Sequence, residues 1–372
     1  MLREERVLSH VLLSKHQFEH FMIRHLRITL SFLSVALVFV SFASSALGEV
    51  EVLEAKVLPV GKDWQIGFLE GPAAGKGNLL YFTNRNRDPK AVQGIQQVDL
   101  ARPELGATTL HSTAAGGLWY RNGNMLATVP TKDGSSRFVQ FNGVDGTSKL
   151  ADPRTLVSGK IDGRELVAPN DLVLDANGGV YFTDKNGRAL YYIHPKGKAN
   201  LVAAYKDDGS KENDKLEELN NPNGIILSPN GDTLYVTDNS NILHARIASA
   251  GKLAEPLKHL LPGTWISEPA YHKIAGIKPL PPRKNGRPRW EAKYGGNLNI
   301  DGMTVDAEGT IYGAALSTGI VFGWNGKTGE LVRMIQCPGG AVNCTMAGAD
   351  RNLMCIVGSY GIATVLLPTT AP

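Results

Sequence analysis

Cysteine is scarce in this chain, with 3 among 372 residues. An odd number allows at most one bridge and leaves a thiol over. Cys337 and Cys344 stand close enough in sequence to close a short loop in an oxidising compartment. All three cysteines equally suit small buried apolar positions. No Cys-x-x-Cys pair or Cys/His cluster of zinc spacing occurs, which argues against a structural zinc site. An excess of one charge is also missing, with 39 Lys+Arg against 35 Asp+Glu. A general nucleic-acid binder needs a strong basic excess, so that class is set aside. There is no Gly-x-Ser-x-Gly elbow, which argues against a serine hydrolase. His111, His194, His244, His259 and His272 show no paired spacing. No convincing amphipathic helix separates the apolar runs, so a two-domain α/β organisation fits poorly.

What the chain does have is glycine, 41 among its 372 residues. That is well above the ordinary level of roughly 7%. Its hydrophobic content of 42% is too high for a disordered chain. A folded, turn-rich protein follows.

Residues 1–48 stand apart. Arg24, His25 and Arg27 precede an uncharged stretch from Ile28 to Gly48, which ends in Ala46-Leu47-Gly48. A basic start, an apolar centre and small residues before a cut are the parts of a secretory signal. The cut falls before Glu49. The same uncharged stretch is long enough for an uncleaved membrane anchor. Residues 1–21 lie upstream of Met22 and read as an over-extended start. An exported protein, periplasmic or secreted, is expected, with membrane contact only if the segment stays uncleaved. Its removal takes five Lys/Arg and three Asp/Glu away and leaves a net charge of +2.

Six short apolar runs recur along the rest: Leu80-Tyr-Phe-Thr83, Met125-Leu-Ala-Thr128, Val180-Tyr-Phe-Thr183, Leu234-Tyr-Val-Thr237, Ile311-Tyr-Gly-Ala314 and Met354-Cys-Ile-Val357. Most follow a turn rich in Gly, Asn and Asp, and before these turns come further apolar runs such as Leu172-Val-Leu174 and Ile225-Ile-Leu227. Two β-rich runs around such a turn make a hairpin. Tyr81, Leu126, Tyr181, Tyr235, Tyr312 and Cys355 lie 45, 55, 54, 77 and 43 residues apart. Apart from the fourth interval, this is the period of a four-stranded propeller blade. The sequence therefore predicts one all-β domain over 49–372, a six-bladed β-propeller of antiparallel four-stranded blades. Val50–Val60 is expected to close the last blade as its outer strand, because ring closure removes exposed sheet edges.

In a propeller the innermost strand of each blade starts near the axis, so equivalent residues converge. Counting back eleven residues from the anchors reaches Glu70, Asn170 and Asp301. Counting twelve, for the longer turns of blades four and six, reaches Asn223 and Asn343; blade two offers only Ala114 or Ala115. Carboxylate and amide oxygens around one axis suit a hard divalent cation, whose charge Glu70 and Asp301 together neutralise. One such cation is expected, Ca²⁺ or Mg²⁺, with Mn²⁺ or Zn²⁺ as further alternatives.

Leu69-Glu-Gly-Pro72, Ala168-Pro-Asn-Asp171, Asn221-Pro-Asn-Gly224, Asp301-Gly-Met303 and Asn343-Cys-Thr345 resemble, in order, the signature segments of the gluconolactonase family, which includes regucalcin. The likeness covers roughly residues 60–365. It implies a six-bladed propeller with one divalent metal, usually Ca²⁺, in the central tunnel. Glu70, Asn223 and Asp301 would be metal ligands, and Asn170 a ligand or a substrate contact. Asn343 lies where the family has a small polar residue that is not usually a ligand. Ala168 departs from regucalcin-like members, which carry an Arg there to hold a sugar lactone.

The expected activity is opening of a sugar lactone or related ester by metal-activated water, with Asp301 as general base and Asn170 in the catalytic set. The alternatives are a phosphotriesterase-like hydrolase on the same site and a non-catalytic metal-containing binding propeller. Asp171, Asn343 and Trp119 are candidate substrate contacts; Asp171 also suits a structural role, and Trp119 packing. The Asn343-Cys-Thr345 sequon is read as structural. Leu261–Gly296 is a basic, Pro-rich insertion, either a lid or a solvated loop, in which Trp265 and Trp290 are further candidates. The partner is a small lactone or ester, and a monomer or weak dimer is expected.

Overall fold

A computed structural model describes residues 50–61, 63–85, 92–131, 133–146, 149–205, 219–239, 241–260, 298–348 and 350–368. The N-terminal signal or anchor and the 261–296 insertion, with Trp265 and Trp290, lie outside the described residues. Among the described residues no helix is long and apolar enough to cross a membrane, and the one helical element is a 3₁₀ turn at Pro103–Leu105.

The unit beginning at Glu51 is a six-bladed β-propeller. Each predicted hairpin forms the first two strands of a blade. Blade one runs Phe68–Ala74, Leu79–Arg85, Gly94–Asp99 and Thr108–His111. Blade two runs Leu118–Arg121, Asn124–Val129, Arg137–Asn142 and Arg154–Ser158. Blade three runs Pro169–Leu174, Val180–Asp184, Ala189–Ile193 and Ala199–Ala204. Blade four starts Pro222–Leu227, Thr233–Asp238 and Asn241–Ser249, and two short strands, Lys252–Leu253 and Lys258–His259, share its outer edge. Blade five runs Ile300–Val305, Thr310–Ala315, Ile320–Asn325 and Leu331–Gln336. Blade six holds Ala341–Ala347, Leu353–Gly358 and Gly361–Leu366. The innermost strands touch in cyclic order, with the sixth against the first.

The closing segment completes the last blade as expected and covers a second edge as well. Lys56–Val57 pairs antiparallel with Gly361–Leu366 as the fourth strand of blade six. Just before it, Glu51–Glu54 pairs parallel with Leu331–Gln336 as a fifth strand of blade five. One short segment thus covers two neighbouring sheet edges, and the Glu51 carboxylate accepts from Arg333 Nε at 2.5 Å to hold it there.

The core lies between the blades, because both faces of each sheet are covered by a neighbour. Tyr81, Ala115, Leu118 and Phe141 pack between blades one and two, and Tyr312, Ile335, Met354 and Ile356 between five and six. Cys337 and Cys344 are buried, unbridged members of the layer between five and six, and Cys355 of the layer between six and one. Desolvation pushes their thiols well up, to about 12 for Cys337 and Cys355. Of the two readings left open for the cysteines, the apolar one holds.

Candidate functional site

Five of the six inner strands carry a register break where they begin: Glu70/Ala73, Pro169/Leu172, Pro222/Ile225, Ile300/Met303 and Ala341/Asn343. A bulge places an extra residue against its partner strand and re-aims side chains. Each break coincides with a residue expected at the axis. Glu70, Asn223 and Asp301 are each followed by a glycine that the fit requires. A Cβ on Gly302 would stand 1.9 Å from Asn343 Cγ, and one on Gly224 would stand 2.7 Å from the Asp301 carbonyl oxygen. Gly71 adopts φ +50°, a left-handed conformation natural to glycine.

Three threonines near the ends of second strands fasten the ring. Thr128, Thr183 and Thr237 each donate Oγ1 to the backbone carbonyl of the axial residue in the next blade: Asn170, Asn223 (2.7 Å) and Asp301 (2.9 Å). Each also accepts from a backbone N–H of its own inner strand, from Gly117, Asp171 and Gly224 respectively. This shared pattern locates the axial residue of blade two at Gly116, one position beyond the expected Ala114 or Ala115. A Cβ there would lie 2.9 Å from Asn170 Oδ1, so the neighbouring amide occupies the space that a side chain would need. The residues that follow Thr83, Thr183 and Thr237 clamp the approach to the ring. Asn84 accepts from Gly67 N–H (2.9 Å), Asp184 from Val167 and Ala168 N–H (2.8 and 2.7 Å), and Asp238 from Asn220 N–H (2.9 Å).

Glu70, Asn170, Asp171, Asn223, Asp301 and Asn343 are only 4–8% exposed, so their charges and dipoles are poorly hydrated. Asn170 Nδ2 donates to Asn223 Oδ1. Asn343 Nδ2 donates to both oxygens of Asp171, at 3.1 Å each, which makes Asn343 the holder of that carboxylate. Glu70 Oε2 has no hydrogen-bond partner among the described residues. Burial first, then the neighbouring Asp301 and Asp171, hold the Glu70 carboxyl well above its ordinary range. Burial and then Asp301 push Asp171 up to about 7, against the pull of Asn343 and Lys185. Burial raises Asp301 as well, opposed by Lys185, Asn223 and Arg85.

These residues suit a divalent cation. The Asp301 carboxylate raises the proton affinity of the buried Glu70 and Asp171, Glu70 Oε2 is unpartnered among the described residues, and two amides add neutral oxygens. Among the described residues no three His, Cys, Asp or Glu side chains cluster closely enough to hold a metal by themselves, so the amides would have to contribute. Trp119 lies three residues beyond Gly116. It lines a cavity of about 390 Å³ along the inner strands, together with Asp171, Leu172, Met303 and Asn343, and packs against the core of blades three and four.

Residues 91–255 and 282–359 match the SMP-30/Gluconolactonase/LRE-like region. The chain belongs to this family. A lactonohydrolase of Aspergillus oryzae is 25% identical over 321 residues, which span 77% of this chain and 65% of that protein, a little under two thirds of its length. A gluconolactonase of Xanthomonas campestris superposes with a TM-score of 0.56 at 19% identity, covering 82% of this chain and 87% of that one. Regucalcin of Agrobacterium tumefaciens, a calcium-binding protein, superposes with a TM-score of 0.56 at 16% identity, over 86% and 95% of the two chains. At these identities the structural likeness speaks for the family's fold, and the chemistry has to come from the ring.

Proposed function

We propose that this protein is an exported lactone hydrolase that depends on one divalent cation, Ca²⁺ by preference. The observation that carries this reading is the convergence of Glu70, Asn170, Asn223 and Asp301 from four separate blades, with Glu70 Oε2 left unpartnered among the described residues. The names of its relatives, a lactonohydrolase and a gluconolactonase, support lactones as the substrate class. The name of its calcium-binding relative supports the choice of ion. Export rests on the basic start, apolar centre and small-residue end of residues 24–48, the three parts of a secretory signal.

Glu70, Asn170, Asn223 and Asp301 would hold the cation. Bound there, it would supply Lewis acidity toward a lactone carbonyl and make water a stronger acid. The Thr183 and Thr237 hydrogen bonds fix the backbone at Asn223 and Asp301, so the ring keeps its shape without reorganisation. Asp301 accepts the proton of the attacking water, and the same carboxylate can return it to the leaving alkoxide. Water adds across the acyl C–O bond and yields one carboxylic acid and one hydroxyl. Asp171, fixed by Asn343, borders the cavity and limits how the substrate ring can sit.

Metal analysis combined with a proton-release assay over a lactone panel, with and without chelator, tests this reading. Turnover that disappears with chelator and returns with Ca²⁺ is expected. Full turnover in the chelated protein, or bound metal with no lactone opened, would overturn it.

A further inference from the structure

Arg85 and Lys185 hold the same place in two blades. Arg85 stands opposite Phe68, two residues before Glu70. Lys185 donates its backbone N–H to Ala168 (3.0 Å), two residues before Asn170. Both follow the Thr-Asx pair at the end of a second strand, Thr83-Asn84 and Thr183-Asp184. The corresponding residue is Pro130 in blade two, Asn239 in blade four, Leu316 in blade five and Ser359 in blade six. The only basic residues at this register therefore belong to the two blades that flank blade two. Blade two is also where the ring has no side chain, at Gly116.

We propose that Arg85 and Lys185, on the two blades that flank blade two, form a two-point anion subsite, so that the enzyme selects lactones carrying a free carboxylate. This rests on the lactonase reading above. Both side chains are partly buried, and no hydrogen bond or ion pair engages either head group among the described residues. Lys185 acts electrostatically on Glu70, Asp171 and Asp301, and Arg85 on Glu70 and Asp301, so both heads lie within range of the ring. Once a divalent cation neutralises Glu70 and Asp301, Asp171 is the one ring carboxylate left to face two basic groups. A substrate anion restores the balance. A guanidinium and an ammonium at two points fix the orientation of such a group as well as its charge.

The test compares Lys185→Met and Arg85→Met with the parent protein on gluconolactone, which is neutral, and on glucarolactone, which carries a free carboxylate. The ratio of kcat/KM for the carboxylated over the neutral lactone should fall about tenfold in each variant, mainly through KM. Lys196→Met, on an exposed turn remote from the ring, should keep the parent ratio. Calorimetric titration with open-chain glucarate, in chelated and Ca²⁺-loaded protein, reads the subsite without turnover; each variant should bind about tenfold more weakly. Unchanged ratios, or glucarate bound equally by parent and variants, would overturn the subsite. Glucarate binding that is lost in the variants while neither lactone is opened would uphold the subsite and remove the lactonase reading. A thermal melt of each variant confirms that it is folded.

Discussion

Blades two and three are neighbours built from the same four-stranded plan, yet only one of them contributes polar side chains to the axis. In blade three the inner strand opens with a bulge that turns Asn170 and Asp171 inward. In blade two the corresponding residues are Gly116 and Gly117, and the strand that follows pairs with Asn124–Val129 without a register break. The threonine contact is present in both, since Gly117 and Asp171 each donate N–H to the blade's own threonine. The repeat therefore builds the ring, and the bulge with its two residues decides what the ring can do. The glycines of blade two are part of the site too, because they leave room for Asn170.

The largest effect should come from the polar half of this comparison. Asp301→Ala should lower kcat/KM about 10²–10⁴-fold and abolish Ca²⁺ binding measured by calorimetry, since it removes the proposed base and a ligand together. Retained turnover would separate Asp301 from the chemistry.

Next in size is the pH dependence of the metal-free protein. Asp171 has a folded-state pKa of about 7, above its ordinary 3.8, and Glu70 and Asp301 are raised too. A raised carboxyl favours the protonated folded state, so stability is greatest on the acid side and declines as pH rises from about 4 through 7. Chelated protein should therefore melt several degrees lower at pH 7.5 than at pH 5. Ca²⁺ should restore most of the loss by neutralising the ring. A melting temperature that rises over this interval would contradict the crowded-carboxylate description.

Filling the space beside the ring comes third. Gly116→Ala drives a Cβ toward Asn170, and Gly302→Ala drives one into Asn343. Each should cost about 1–3 kcal/mol in denaturant unfolding. Gly302→Ala should also impair activity, because Asn343 must leave Asp171.

The smallest effects sharpen the comparison most finely. Thr183→Val and Thr237→Val remove a buried hydroxyl that joins two blades and should each cost about 1 kcal/mol or a little more. Thr83 occupies the same register, but its buried hydroxyl has no partner among the described residues. Thr83→Val should be close to neutral in the same unfolding experiment, and a large loss there would mean that its hydroxyl is engaged.

Much of this was legible in the chain. The six apolar runs are the second strands of six blades, and counting back from them located Glu70, Asn170, Asn223, Asp301 and Asn343 at buried strand starts. That worked because a hairpin turn of nearly constant length ties the inner strand to its partner. The count missed in blade two, where Ala114 and Ala115 were reached instead of Gly116, because its lead-in does not carry the bulge common to the other blades. Arg85 and Lys185 also escaped a reading that looked only backward from the anchors, since they lie just beyond the Thr-Asx pairs. The Asn343 contact with Asp171 was not readable either, as it joins residues 172 apart in the chain.

By itself the sequence determined a closed β-ring and the residues that begin its inner strands, because period, turn chemistry and alternation are local properties of a chain. The tertiary structure decided which of those residues lose their water, which carboxylate is held by which amide, and which blades bring positive charge within range of the ring. Those outcomes depend on blades far apart in sequence meeting at one axis. There, burial and neighbouring charges act on every group together.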